Sequence, residues 1–172
     1  METIQWVRPA QQKDASRLAE ILIFAKRCAY RPIFQNDPVS FNEMQVLDLA
    51  LSFRDREEER KNIYVYDDGI VRGMMKWTKE ETPEGKCRVQ LEQLYVEPFF
   101  QGMGIGKALM QECLNKARQE GAMEVWLYVL EKNEKARKFY EKSGFEWDKT
   151  RWPEAGTPEY LLRYQRKTEA LF

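Results

Sequence analysis

Apolar positions along this chain alternate with polar ones, recur every three to four residues, or run together, and the three patterns divide it into elements. Ile4-Gln5-Trp6-Val7-Arg8 reads as a short strand ended by Pro9. Asp14 is a helix-capping residue, and Leu18, Ile21, Leu22 and Ala25 follow at i, i+3, i+4 and i+7. They predict a helix to about Tyr30, broken by Arg31-Pro32. A second helical segment, Phe41 to about Phe53, sets Met44, Leu47, Ala50 and Leu51 on one side. The charged run Arg54 to Lys61 reads as a solvated helix end or loop. Ile63 to Tyr66, an Asp67-Asp68-Gly69 turn, and Ile70 to Trp77 predict a hairpin.

Thr82-Pro83-Glu84-Gly85 then turns into an alternating strand, Cys87 to Val96. Three glycines separate it from a helix that runs to about Glu120 and stops at Gly121. Glu124 to Leu130 is nearly continuous in apolar residues, as in a strand buried on both faces. Asn133 caps a last helix on which Ala136, Phe139 and Tyr140 share a face, and Gly144 ends it. Tyr160 to Tyr164 forms a final strand. With no repeat, low-complexity stretch or linker, the order predicts one mixed α/β domain over residues 1–172.

Composition narrows the chemistry. Lys+Arg and Asp+Glu are each 28, so no net basic charge points to nucleic acid as a partner. No apolar run approaches the ~20 residues of a membrane span, and the first residues lack the pattern of a signal peptide. A cytoplasmic location is expected. The chain has no His, which removes Ser-His-Asp and Cys-His mechanisms. Cys28, Cys87 and Cys113 lack ligand spacing, so no metal site is expected, and they suit reduced, mostly buried thiols. Proton transfers fall to Glu, Asp, Tyr, Lys or water.

The stretch Gln101-Gly102-Met103-Gly104-Ile105-Gly106-Lys107 carries most of the functional information. A strand, a glycine turn and a helix start expose backbone N–H groups, and the helix dipole adds roughly half a positive charge there. Glycine lets such a backbone approach a ligand closely, and pyrophosphate is the natural guest. A Walker A loop would need a hydroxyl residue after Gly106-Lys107, where Ala108 stands. A dinucleotide fingerprint would read G-x-G-x-x-G early in the chain, whereas this loop reads G-x-G-x-G and lies past the middle. Gln101-x-x-Gly104-x-Gly106 fits the third pattern, Q/R-x-x-G-x-G/A, a coenzyme A pyrophosphate loop. A glycine turn without a ligand fits the residues too.

With Leu91-Glu92-Gln93-Leu94-Tyr95-Val96-Glu97-Pro98 before the loop, and Glu131-Lys132-Asn133-Glu134-Lys135-Ala136, Phe139-Tyr140 and Gly144-Phe145 after it, the chain resembles the GNAT superfamily of N-acetyltransferases. Within it the chain is most similar to small bacterial enzymes that acetylate polyamines. The resemblance implies a central twisted mixed sheet with a splayed strand pair, flanked by helices on both faces. It implies acetyl-CoA as cosubstrate, with the pyrophosphate on Gln101, Gly102, Met103, Gly104, Ile105, Gly106 and Lys107. The pantetheine arm would lie along the backbone of Leu94, Tyr95 and Val96, where an N–H group would also hold the developing oxyanion. Asn133 and Ala136 would contact that arm. Tyr140 would lie near the sulfur as the acid for the leaving thiolate, a role its reference pKa near ~10 permits. A homodimer is compatible with the family.

Glu92 is the candidate base for an ammonium acceptor, directly, through water, or as a charge that only attracts the cation. In an unbroken pleat it would share a face with Leu94 and Val96. Its residue pattern fits a solvated strand glutamate equally well. Asn133 as a plain cap and Tyr140 as a core aromatic likewise fit, and Glu97, beside Pro98, reads as a loop residue. The acceptor pocket is expected from Phe24, Tyr30 and Phe34, with Pro32, Ile33 and Asp37 around them, closed by the segment of Trp147, Trp152 and Tyr160. The function expected is direct transfer of acetyl from acetyl-CoA to a small primary amine or polyamine in a ternary complex. The alternatives are acetylation of a protein N-terminus or lysine, and a non-enzymatic acyl-CoA-sensing or partner-binding module.

Overall fold

The computed structural model describes residues 5–168. Its strands are β1 (Val7–Pro9), β2 (Ile63–Asp67), β3 (Val71–Glu81), β4 (Cys87–Val96), β5 (Glu124–Leu130), β6 (Glu146–Pro153) and β7 (Tyr160–Lys167). Its helices are α1 (Ala15–Phe34), α2 (Val46–Asp55), α3 (Glu57–Arg60), α4 (Ile105–Gln119) and α5 (Glu134–Lys142). The strands join in one mixed sheet in the order β1-β2-β3-β4-β5-β7-β6, flanked by helices. The chain gathers into two compact units. Of the described residues, the first holds those up to Lys76 together with Gln93–Leu109; the second holds Trp77–Glu92 and those from Met110 on.

In the first unit, the α1 stripe of Leu18, Ala19, Ile21, Leu22 and Ile23 packs with Phe53, Ile63, Val65 and Met74. Asp14 precedes α1 but caps it with no side-chain hydrogen bond. Its buried carboxylate is taken instead by Arg8 (2.8 and 3.0 Å) and by the Gln11 amide (2.7 Å). Burial pushes this carboxyl up, but the Arg8 hydrogen bonds, the Gln11 amide and the Arg8 charge outweigh it and hold its pKa below the ordinary value. A depressed folded-state pKa gives stability that is complete above the unfolded value and lost as pH falls through the folded one. Asp14→Asn should therefore cost about 2 kcal/mol at neutral pH and show a smaller acid-dependent loss below about pH 4 than the parent protein. Urea denaturation at pH 7 and pH 3 checks both.

The structure revises three local expectations in this unit. Pro32 does not break α1, which runs to Phe34 and closes with Gln35 in the left-handed region and its N–H on the Arg31 carbonyl (2.9 Å). A proline in the last turn forfeits only one amide bond. The segment from Phe41 is a π-helical turn, Pro38–Glu43, separated from α2 by extended Met44 and Gln45. That break rephases α2, so Leu49, Ala50 and Phe53 face the core while Leu47 is 68% exposed. The strand foreseen from Ile4 begins at Val7 and includes Pro9; Ile4 itself lies outside the described residues.

In the second unit, β5 pairs antiparallel with β7 from Glu124↔Lys167 to Leu130↔Leu161, and β7 pairs with β6. Except for Tyr128, every residue of β5 is buried, as its apolar run predicts. β6 has no counterpart in the sequence pattern, because it is bulged between Trp147 and Arg151. There Lys149 takes a φ of 71°, Thr150 N donates to Asp148 Oδ1 (2.8 Å), and the Trp147 indole donates to Thr150 O (2.9 Å). Of the cysteines only Cys113 is buried, and burial lifts its thiol pKa to about 12; Cys28 is exposed.

Candidate active site

In the first unit, β4 ends at Val96 and leads through a turn, Pro98–Phe100, into the glycine loop. Gln101, Gly102, Met103 and Gly104 are exposed, and α4 begins at Ile105, which is buried. Gly102 and Gly104 take φ of 82° and 80°, where a side chain is strained, and a Cβ on either would meet nothing within 4 Å. The first helical bond of α4 runs from Ala108 N to Gly104 O (3.1 Å). The amides of Ile105, Gly106 and Lys107 thus precede the hydrogen-bond ladder, at the positive end of the 15-residue helix. An open cradle with amide donors, flanked by exposed Gln101 and Lys107, suits a pyrophosphate.

A glycine that the sequence reading passed over seats this cradle. A Cβ on Gly73 of β3 would lie 2.9 Å from Ile105 Cγ2, 3.1 Å from Leu109 Cδ1 and 3.1 Å from Tyr95 O. Only a hydrogen lets the first turn of α4 sit so close to β3 and β4. The signal was available, since a lone glycine inside a strand often marks close backbone approach.

The predicted acceptor aromatics lie in the same unit. Tyr30 and Phe34 meet edge to face (6.0 Å), and the Tyr30 hydroxyl is 3.5 Å from that of Tyr95. Phe24 packs on Phe99 (5.7 Å). The π-helical turn is fastened to α1 by Arg27, whose guanidinium donates to Ser40 O (2.9 Å) and lies over the Phe41 ring (5.1 Å).

Leu94, Tyr95 and Val96 lie in the first unit, and Glu92, Asn133, Ala136 and Tyr140 in the second. Asn133 does cap α5: its Oδ1 accepts from Ala136 N at 3.2 Å. Tyr140 is half-buried and meets Phe139 (5.4 Å) and Phe145 (6.0 Å) edge-on. A buried tyrosine, Tyr164 of β7, fixes the register of α5. Its hydroxyl accepts from Arg137 Nε (3.1 Å) and donates to Glu141 Oε1 (2.9 Å). Tyr164→Phe should lower stability by about 1–2 kcal/mol, a loss readable in urea denaturation.

Glu92 is exposed and accepts from the Thr78 hydroxyl at 2.6 Å. Four residues earlier on β4, Arg88 pairs with Glu80 and stacks on Trp126 (5.0 Å). The Trp126 indole donates to Glu80 Oε1 (2.5 Å), Arg163 covers its ring (4.7 Å), and Tyr128, 42% exposed, meets it edge-on (5.2 Å). This floor of carboxylates, stacked arginines and aromatics is assembled from four strands, which is why no single stretch of sequence revealed it.

β4 runs on past its pairing with β5. Its parallel ladder with β5 comprises Val89↔Val125 and Gln90↔Trp126, and β4 continues to Val96. Tyr95 packs with the core cluster that contains Met74, while Glu92 bonds Thr78.

Among the described residues, no group of three or more Cys, Asp or Glu is placed to hold a metal ion, and no helix is long and apolar enough to cross a membrane. A mixed sheet whose fourth strand feeds a glycine loop and the start of a long helix defines an α/β protein built to bind a phosphate-bearing ligand. Residues 23–145 match the Acetyltransferase (GNAT) family, and the chain belongs to it. An uncharacterized N-acetyltransferase of Mycobacterium bovis is 44% identical over 63 residues, 37% of this chain and 40% of that protein. A mycothiol acetyltransferase of Propionibacterium freudenreichii is 36% identical over 69 residues, 40% of this chain and 22% of that protein. The chain thus spans less than half the length of these relatives. The PaiA N-acetyltransferase of Thermoplasma acidophilum, solved with coenzyme A, shares the fold with a TM-score of 0.66 at 20% identity, covering 91% of this chain and 96% of that one.

Proposed function

We propose that this chain is a single N-acetyltransferase domain that moves the acetyl group of acetyl-CoA to the primary amine of a small molecule, polyamines included, within a ternary complex. The observation that carries the reading is the glycine loop, with Gly102 and Gly104 at positive φ, open space where their side chains would be, and the amides of α4 behind them. Gln101, Gly102, Met103, Gly104, Ile105, Gly106 and Lys107 hold the pyrophosphate; Leu94, Tyr95, Val96, Asn133 and Ala136 hold the pantetheine arm. Glu92 receives the proton of the ammonium, directly or through water, and Tyr140 gives one to the departing thiolate. Phe24, Tyr30 and Phe34 take the apolar part of the acceptor. The relation to a mycothiol acetyltransferase favours a small-molecule acceptor over a protein.

Thiol release from acetyl-CoA, measured with spermidine, spermine, monoamines, aminoglycosides, and peptides with free N-termini or internal lysine, tests this reading. Selective turnover of one small amine class supports it. Turnover of peptides alone moves the acceptor to proteins. Tight acetyl-CoA binding with no turnover moves the chain to a sensor role.

A further inference from the structure

Glu97 is the residue through which the chain passes from β4 toward the glycine loop, and it is 2% exposed rather than the open loop residue its place beside Pro98 suggests. Arg17 of α1 donates from Nη1 to Glu97 Oε2 (2.8 Å) and from Nε to the Val71 carbonyl (2.9 Å). One guanidinium thereby spans the start of β3 and the turn after β4. Around it, Glu97 N donates to Arg72 O (2.9 Å) and Phe100 N to Glu97 O (2.8 Å). The Arg72 guanidinium lies over the Phe100 ring (4.3 Å) and is held by Asp68 (2.8 Å). Glu97 Oε1 is buried with no hydrogen-bond partner.

Such a pair is an expensive way to gain stability, because well-packed apolar side chains of similar volume often serve as well or better. Its position gives a different reason for it. We infer that the Arg17–Glu97 ion pair is a positioning device for the glycine loop, fixing Glu97 so that Pro98–Phe100 delivers Gln101–Gly104 in the conformation that binds pyrophosphate. The inference rests on the acetyl-CoA reading above, and it adds α1 to the support of the cofactor loop. Arg17 also has a second carboxylate within reach, exposed Glu20 at 3.2 Å. When Glu97 is neutralised, Arg17 can stay ionically paired through Glu20 while the loop loses its anchor.

The test is calorimetric titration with coenzyme A of the parent protein, Glu97→Gln, Arg17→Lys, the double variant Arg17→Met/Glu97→Leu, and Phe53→Leu as a core control. Each is measured well below its own melting temperature. Both single variants should bind coenzyme A about tenfold more weakly or worse, the equivalent of ~1.4 kcal/mol. The double variant should recover the melting temperature but not the affinity, whereas Phe53→Leu should lose melting temperature and keep affinity. Arg17→Lys retains the charge and decides the matter if a more drastic change does not fold. Single variants within twofold of the parent, or affinities that follow melting temperature across the set, overturn the inference. A parent protein that does not bind coenzyme A overturns the acetyl-CoA reading itself.

Discussion

Tyr140→Phe should lower kcat by about a hundredfold or more while acetyl-CoA affinity changes by less than about twofold. The ring is half-buried and touches Phe139 and Phe145 edge-on, and phenylalanine keeps both contacts. Only the hydroxyl is lost, so the variant separates the proposed proton donor from packing. A tyrosine hydroxyl so placed can pass its proton to a thiolate as that charge develops. A loss confined to kcat means that the interaction is made in the transition state and not in the ground state. Steady-state kinetics beside calorimetry reads the split, and equal turnover of the two proteins removes Tyr140 as the acid.

Gly73→Val should be the most damaging single change outside the loop itself. Its Cβ would stand 2.9 Å from Ile105 Cγ2 and 3.1 Å from the Tyr95 carbonyl, which is backbone and yields only by moving β4. Overpacking of this kind costs about 1–3 kcal/mol. The more telling effect is local, because the residues displaced are the first of α4 and the strand proposed to bind the pantetheine arm. Coenzyme A affinity should fall by more than about tenfold, and Gly73→Ala should lie between valine and the parent. Urea denaturation and calorimetry on the three proteins check the ranking. An affinity untouched by valine would show that Gly73 serves packing only.

What the sequence disclosed was local. The Asn133 cap, the stop at Gly121, the Asp67–Gly69 hairpin turn and the loop glycines each depend on a few neighbouring residues, and each stands in the structure where the pattern placed it. What it hid depends on distant ones. The space that Gly73 fills is defined by Ile105 and Leu109, and the face that α2 buries is set by the break at Met44 and Gln45. A short helix with apolar residues at Val46, Leu47, Leu49, Ala50, Leu51 and Phe53 offers two stripes of similar quality, and periodicity alone cannot choose between them. The bulge of β6 erased the alternation that would have marked it as a strand.

The pairing of Arg17 with Glu97 closes a loop of 80 residues, and synthesis on the ribosome at ~5–20 residues per second separates the two by about 4–16 s. During that interval the nascent chain carries α1 and the first hairpin, but neither Tyr95, which completes their core, nor the carboxylate that Arg17 awaits. Residues 93–109 complete the first unit. Until then the only carboxylate among the described residues that Arg17 is seen to pair with is Glu20 of its own helix, and translation speed through this middle stretch sets how long the guanidinium waits for Glu97.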